Sequence, residues 1–166
     1  MAECKNIMVY VETAEGNPVK VGLEMLSPAK KLADKVTAVV IGGGVADAAK
    51  EVAKAGADQV ICVDSEDYKE FNLDAYAQVL VELVKGENPE AVFVGGTQDG
   101  KDIAPVVAAK CNTGCASDVL DIKAEDGEVI YTCPLYGGTV LEDVKIKTAV
   151  YYASGGFRRF HLPVEC

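Results

Sequence analysis

Residues 91–111 read AVFVGGTQDGKDIAPVVAAKC. Four uninterrupted apolar residues come first, two glycines follow, and a segment with helical character completes the stretch. An unbroken apolar run is typical of a parallel strand that is buried on both faces. We predict a helix over residues 103–111, with Asp102 as its N-cap and its end near Gly114. This strand, turn and helix predict a layered α/β fold.

The same alternation is found upstream of this stretch. Further apolar runs predict strands over residues 7–11, 36–41 and 60–63. Apolar residues at helical spacing predict one helix from Val45 to Val52, with Gly56 at its C-terminal cap. They predict a second helix from Asn72, the N-cap, that is stopped by Gly86 and Pro89. Residues 21–34 are ambiguous, because Pro28 kinks a helix unless Ser27-Pro28 starts a new one.

The C-terminal third has a different pattern. Residues 128–132 and 144–151 are β-prone, and Asp126-Gly127 is a hairpin turn signal. We therefore predict a three-layer α/β sandwich: a mainly parallel twisted sheet flanked by helices, with antiparallel strands added by the C-terminal third. Residues 1–157 are expected to form one domain, and residues 158–166 a terminal tail or linker stub.

Composition excludes several classes of protein. The 166 residues are 49% hydrophobic and 25% charged, which is typical of a soluble globular domain. No apolar run approaches the roughly 18 residues that span a bilayer, so we expect no membrane segment. The start of the chain lacks a signal-peptide pattern. The net charge of −10 argues against contact with nucleic acid or anionic lipid.

The cysteines and the single histidine limit the chemistry further. There are six cysteines and no CxxC pair, which argues against a zinc ribbon or a thioredoxin-type centre. Cys62 is expected in the core, and Cys111 and Cys115 are interpreted as unrelated thiols. His161, near the C-terminus, is the one histidine of the chain. This shortage of histidine argues against a Ser-His-Asp or Cys-His enzyme. Without an export signal, we expect free thiols in the cytoplasm.

Two glycine-rich turns partly match known phosphate-binding motifs. Gly95 to Lys101 satisfies GxxxxGK, but Asp102 occupies the position of the magnesium-binding Ser or Thr. A carboxylate there repels phosphate, so a structural turn is the favoured interpretation. The turn Gly42-Gly43-Gly44 lacks the third glycine of a dinucleotide fingerprint, because residue 47 is Asp.

What remains is a general site at the carboxyl ends of the parallel strands, where ligands of open α/β sheets bind. An adenine nucleotide is our hypothesis for it. The strand-end rim that we assign as tentative cofactor-binding residues consists of Thr13, Gly42, Gly43, Gly95, Gly96, Thr97, Gly100 and Lys101. We expect no catalytic residues and no metal site.

Several motifs occur in order along the chain: Gly56-Ala57-Asp58, residues 72–77, residues 95–105, Ala108-Ala109-Lys110, Asn112-Thr113-Gly114, Asp118 and Tyr136-Gly137-Gly138. Together they resemble the N-terminal domain of the electron transfer flavoprotein alpha subunit over about residues 6–157. Thr139 stands where that family usually has Asn, and Tyr152 where it often has Arg.

The resemblance implies a fold of the adenine-nucleotide-hydrolase-like type. It also implies a heterodimer with an electron transfer flavoprotein beta subunit, in which FAD carries electrons between donor and acceptor proteins. In that family FAD lies mainly in a C-terminal alpha domain, which this chain does not contain, and AMP or a second flavin lies in the beta subunit. No residue of the family's FAD site can therefore be carried over to this chain.

Our leading hypothesis is a non-catalytic scaffold domain that pairs with a beta subunit in flavin-mediated electron transfer. The sequence is either a piece of a longer subunit or a stand-alone relative. The alternative is a stand-alone adenine-nucleotide-binding protein that resembles the universal stress proteins, with AMP as a ligand and a homo-oligomer as its assembly. An adenine-nucleotide-dependent enzyme is the least favoured of the hypotheses.

Overall fold

A computed structural model describes residues 4–125, 128–147 and 151–155. Two 3-10 turns, Glu66–Tyr68 and Tyr136–Gly138, accompany the helices and strands. In chain order the helices and strands are β1 (Cys4–Tyr10), β2 (Thr13–Ala14), β3 (Asn17–Pro18), α1 (Lys20–Leu32), β4 (Ala33–Gly42), α2 (Ala46–Lys54), β5 (Gln59–Asp64), α3 (Leu73–Glu87), β6 (Ala91–Gly95), α4 (Gln98–Lys110), β7 (Cys115–Ser117), β8 (Asp121–Glu125), β9 (Glu128–Leu135), β10 (Val140–Lys145) and β11 (Tyr151–Gly155).

The main sheet has six strands in the order β5-β4-β1-β6-β11-β7, and every pairing in it is parallel. Strand β1 lies near the centre, with Val9 opposite Ala38 of β4 and Phe93 of β6. The apolar runs of β1, β4 and β6 are buried because helices cover both faces of the sheet. The predicted α/β fold and the four predicted strands are confirmed.

Two separate clusters of buried side chains lie against this sheet. One contains Met25 and Leu26 of α1 and extends to Tyr131 of β9. The other contains Leu80 of α3 and Ile103 of α4. Each cluster packs against strand residues, so the molecule has three layers with the sheet in the middle.

Strand β5 departs from the expectation of uniform burial. It is an edge strand, and Cys62 in it is exposed. The prediction that Cys62 is a core residue was wrong. An apolar run does not reveal whether a parallel strand has neighbours on both sides.

Three helix boundaries test the capping signals. Asn72 caps α3 as predicted, since its side-chain oxygen accepts a hydrogen bond from the amide of Ala75 at 3.1 Å. Gly56 follows α2 with a φ of 112°, as a C-terminal glycine should. Helix α3 runs through Gly86 and ends at Glu87, where Asn88 takes the left-handed conformation with φ 45°.

The structure shows one helix, α1, in the region of residues 21–34 where the sequence was ambiguous. It continues through Pro28 as one helix, and Ser27-Pro28 does not start a new one. Pro28 is itself buried, and so are Met25 and Ala29 beside it. Burial of this face against the sheet compensates for the one backbone hydrogen bond that proline cannot donate.

Helix α4 begins earlier than predicted. Its N-cap is Thr97, whose hydroxyl oxygen accepts a hydrogen bond from the amide of Gly100 at 2.9 Å. Asp102 lies inside the helix, so its assignment as N-cap was wrong. Thr97 follows the end of β6 by two residues and caps the helix as well as an aspartate further along the chain would, and the strand end fixes the choice.

The C-terminal third contributes to two sheets. Strands β7 and β11 extend the parallel sheet, whereas β8, β9 and β10 form a separate antiparallel sheet. The predicted antiparallel strands are thus confirmed. Asp126-Gly127 lies outside the described residues, although Glu125 and Glu128 on either side of it are paired.

The β-prone segment over residues 144–151 is not one strand. Strand β10 ends at Lys145 and pairs antiparallel with β9, whereas β11 begins at Tyr151 and pairs in parallel with β6. The segment therefore carries the chain from the small sheet back to the large one. Strand propensity alone does not show such a change of partner.

Candidate functional site

A cleft of about 460 Å³ opens at the carboxyl ends of β1 and β4. This volume falls in the range of roughly 300–1,000 Å³ that is usual for small-molecule sites. The residues that line it come from the ends of both strands, the β2–β3 hairpin, the segment after β5 and the first turns of α3 and α4: Tyr10, Glu12, Thr13, Glu15, Gly16, Ile41, Gly42, Gly43, Gly44, Val45, Lys69, Phe71, Tyr76 and Asp99.

Glu12 lies two residues beyond the end of β1 and joins the cleft to α4. Its Oε1 accepts a hydrogen bond of 2.5 Å from the hydroxyl of Thr97. Burial raises the pKa of the Glu12 carboxyl, and the charge of Asp99 raises it further, while the Thr97 hydrogen bond acts in the opposite direction. Glu12 therefore holds its proton to a higher pH than an ordinary glutamate.

Tyr10 is the last residue of β1, and its ring forms part of the core. Only 2% of the residue is exposed, and it forms part of the wall of the cleft. Burial, followed by the charge of Glu12, raises the pKa of the phenol, so it stays protonated at any physiological pH.

The turn after β4 is shaped by packing. A Cβ on Gly42 would lie 2.6 Å from a methyl carbon of Val45, and one on Gly43 would lie 3.1 Å from the Cβ of Lys69. Gly44 has a φ of 70°, and its amide donates to the carboxylate of Asp64 at 2.7 Å. The first two glycines therefore let neighbouring segments approach closely, and the third provides a left-handed turn.

The strand-end rim divides into two groups in the structure. Thr13, Gly42 and Gly43 line the cleft. The other rim residues belong to the junction of β6 with α4, where the hydroxyl of Thr97 donates to Glu12 of the cleft. They are Gly95, Gly96, Thr97, Gly100 and Lys101.

At that junction the GxxxxGK pattern does not build a phosphate loop. The amide of Gly100 donates to the Thr97 side chain, and that of Lys101 donates to the Thr97 carbonyl oxygen. The ammonium group of Lys101 lies 2.6 Å from the carboxylate of Asp118. These groups are occupied by the protein itself, which agrees with the structural turn that the sequence favoured.

Sequence reasoning missed Tyr10, Lys69, Phe71 and Tyr76 as lining residues. Tyr10 is part of an apolar run and Tyr76 of a helical stripe, so both are indistinguishable from core residues in the sequence. Lys69 and Phe71 lie in the connection between β5 and α3, which no motif marks. The one available signal was the position of Tyr10 at the carboxyl end of a predicted strand.

The charge of the cleft bears on its ligands. Glu12, Glu15 and Asp99 contribute three carboxyl groups, and Lys69 contributes one ammonium group. Gly42, Gly43 and Gly100 lie in close packing contacts, and a cleft with three carboxyl groups and one ammonium group does not fit the diphosphate of FAD. Within the described ranges, no group of three or more His, Cys, Asp or Glu side chains is arranged to hold a metal ion.

No described helix combines the length and the apolar character needed to cross a membrane.

Comparison with known proteins identifies the family. The model of the electron transfer flavoprotein domain matches residues 7–154. The electron transfer flavoprotein subunit alpha of Syntrophomonas wolfei is 38% identical over 138 residues, and that of Clostridium acetobutylicum is 35% identical over 149. Protein FixB of Clostridium saccharobutylicum is 35% identical over 150 residues.

These alignments cover 83%, 86% and 87% of this chain, respectively. They cover only 44%, 44% and 45% of the relatives, so the chain spans less than half the length of the curated proteins that it matches. The matched region includes all or most of each of the six strands of the parallel sheet, as expected for the N-terminal domain of an alpha subunit. The chain belongs to the electron transfer flavoprotein domain family.

Proposed function

We propose that this chain is a scaffold domain of the electron transfer flavoprotein alpha type. In this proposal it pairs with a beta subunit and positions a flavin that another domain binds, and it carries out no catalysis itself. The observation that carries the proposal is the family match over residues 7–154, which covers nearly the whole described structure. The alternative of a stand-alone nucleotide-binding protein is not favoured by that match.

The proposal assigns FAD to protein outside this chain. Support comes from the cleft, where three carboxyl groups would face the diphosphate of the cofactor. The same charges oppose the phosphate of AMP, which the sequence left open as a ligand. The cytoplasm is the proposed location, because Cys62, Cys115 and Cys133 form no disulfide and a reducing compartment keeps thiols in this state.

For the contact with the beta subunit we propose the hairpin of β9 and β10. Strand β10 is an edge strand, and Val140 and Leu141 in it are 46% and 59% exposed. Leu135 and Tyr136 at the turn are 37% and 84% exposed. Apolar side chains that cluster on an unpaired strand edge mark protein interaction sites.

Co-expression with a beta-type subunit of the family tests the proposal. Size-exclusion chromatography with light scattering is expected to give a one-to-one complex. Leu141→Asp places a charge on the hairpin and should weaken the complex at least tenfold. Gln78→Asp adds the same charge at an exposed position of α3 and should leave it unchanged.

Two results would contradict the proposal in different ways. Failure of the wild-type chain to co-elute with the beta-type subunit would reject the pairing. Equal affinity of the Leu141→Asp and Gln78→Asp chains would keep the pairing but move the interface elsewhere. Far-UV circular dichroism of each variant provides the check on folding.

A further inference from the structure

We propose that a groove between the C-terminal ends of α3 and α4 binds a small dicarboxylate, whose two carboxylates pair with Lys85 and Lys110. The groove has a volume of about 430 Å³, which is usual for a small-molecule site. It lies at the edge of the sheet where β6 and β7 begin, opposite the cleft at the ends of β1 and β4. Pairing with a beta subunit does not require this site, so the inference goes beyond the role proposed above.

Two neighbouring helices build the groove in the same way. Helices α3 and α4 pack against each other, and each runs back against the strand direction, so both C-terminal ends reach the same edge of the sheet. After each helix the chain turns through an asparagine in the left-handed conformation, Asn88 with φ 45° and Asn112 with φ 60°. Both asparagines line the groove, together with the lysine in the last turn of each helix.

The lining of the groove is positive although the chain is acidic. The sequence has 26 Asp and Glu residues against 16 Lys and Arg. Lysines elsewhere pair with carboxylates, as Lys50 does with Asp47 at 2.7 Å. Lys85 and Lys110 form no ion pair with any described residue, and no described carboxyl group lines the groove. Two ammonium groups in one cavity are therefore available to a ligand with two negative charges.

The glutamates closest to Lys85 along α3 have other partners. The carboxylate of Glu87 lies 3.5 Å from the ammonium group of Lys35. That of Glu82 accepts a hydrogen bond from the side-chain amide of Gln78 at 3.4 Å. Neither glutamate lines the groove, so neither takes the place of a ligand beside Lys85.

The helix ends oppose an anion, but by less than the lysines attract it. The C-terminus of a helix carries about half a negative charge, so two helix ends contribute about one, against two positive charges on the lysines. Hydrogen bonds also occupy carbonyl oxygens of the last turns. The amide of Asn88 donates to Val84 at 2.9 Å, and that of Thr113 donates to Ala108 at 3.0 Å. The groove therefore keeps a net positive charge.

The composition of the lining favours a dicarboxylate over a phosphate. Val84, Ala109 and Cys111 add apolar surface, which suits the methylene groups that separate two carboxylates. The lysines come from different helices, so they suit two separate charges better than one phosphorus centre. Phosphate sites are commonly built from amide groups at a helix N-terminus, whereas both helices present their C-termini here. The side-chain amides of Asn88 and Asn112 add donors for carboxylate oxygens.

Titration of the full 166-residue chain, followed by its amide signals in heteronuclear NMR spectra, tests the inference. The probes are succinate, glutarate and adipate, which differ in the number of methylene groups, with butyrate and inorganic phosphate for comparison. We expect at least one dicarboxylate to shift the amides of Asn88 and Asn112 and to bind about fivefold or more tightly than butyrate or phosphate. Added salt should weaken this binding, because it screens the lysines.

Three variants that each remove one positive charge assign the effect to the groove. Lys85→Gln and Lys110→Gln should each weaken the tightest dicarboxylate about fivefold. Lys54→Gln is the matched control and should leave the affinity unchanged. Lys54 is an exposed lysine in the last turn of α2, and it does not line the groove. Far-UV circular dichroism of each variant checks that it folds.

Absence of amide shifts around the groove with all three dicarboxylates at millimolar concentration would overturn the inference. Phosphate that binds as tightly as the best dicarboxylate would overturn the assignment to two separate carboxylates. Equal weakening by all three lysine variants would reduce the effect to net charge and overturn the groove as its site. No beta subunit takes part in these measurements, so their failure is distinct from a failure of the pairing test.

Discussion

The first turn of α4 lies against the end of β6 so closely that Gly100 has no room for a side chain. A Cβ added to Gly100 would lie 1.9 Å from the carbonyl oxygen of Gly95 and 2.8 Å from Oε1 of Glu12. The glycine of the GxxxxGK pattern is thus required by helix–strand contact. It explains why a phosphate-loop spacing occurs where the structure builds no phosphate loop.

Replacement of Gly100 by alanine should therefore be strongly destabilising. The backbone of β6 cannot move away without disturbing the sheet, so we expect a loss of about 3 kcal/mol in the free energy of unfolding. For a domain of this size that loss lowers the melting temperature by about 6–12 °C. Thermal and urea unfolding followed by circular dichroism measure it.

Gly86→Ala is the matched control for this substitution. Gly86 also lies in a helix, but a Cβ there would meet nothing within 4 Å. Alanine is the better helix former, and we expect a gain of about 0.5–1 kcal/mol. Equal effects of the two alanines would show that the close contact at Gly100 does not determine stability.

Thr97 performs two functions with one hydroxyl group. It accepts from the amide of Gly100 as the N-cap of α4, and it donates to Glu12. Thr97→Ala should cost about 1–2 kcal/mol, because the cap is lost and Glu12 is left without its partner. Thr97→Ser retains the hydroxyl and should stay within about 0.5 kcal/mol of the wild type. Urea unfolding distinguishes the two, and equal losses would assign the effect to the methyl group of Thr97.

The sequence predicted those parts of the fold that rest on local patterns. Unbroken apolar runs identify β1, β4 and β6, and Asn72 and Gly56 mark helix ends because capping is a property of neighbouring residues. The exposure of Cys62 and the different sheets of β10 and β11 could not be predicted in this way. They depend on which strands become neighbours, and tertiary pairing decides that.

The same distinction applies to the cleft. Strand-end glycines and Thr13 could be assigned to the edge of the sheet, since parallel strands end on one side. The orientation of Lys101 towards Asp118 and the burial of Tyr10 result from packing between segments far apart in the sequence. No spacing rule contains that information.

Glu12 should make stability depend on pH, with a sign that its environment fixes. Its pKa in the folded protein is raised above the ordinary value of 4.5, chiefly by burial. Above pH 4.5 the unfolded chain has lost this proton while the folded chain still holds it. The folded state then binds more protons, so the free energy of unfolding contributed by Glu12 falls as the pH rises through the folded pKa.

Glu12→Gln removes this ionisation and keeps an oxygen that can accept from Thr97. We expect the melting temperature of the variant, relative to wild type, to increase as the pH is raised from 4.5 towards neutrality and then to level off. Below pH 4.5 the difference should be constant, because the glutamate is protonated in both states. Differential scanning calorimetry at intervals from pH 4 to pH 8 measures it, with Gly86→Ala as a variant whose difference has no reason to change with pH. A difference between Glu12→Gln and wild type that stays constant, or that decreases towards neutral pH, would show that Glu12 ionises in the folded protein as easily as in the unfolded chain.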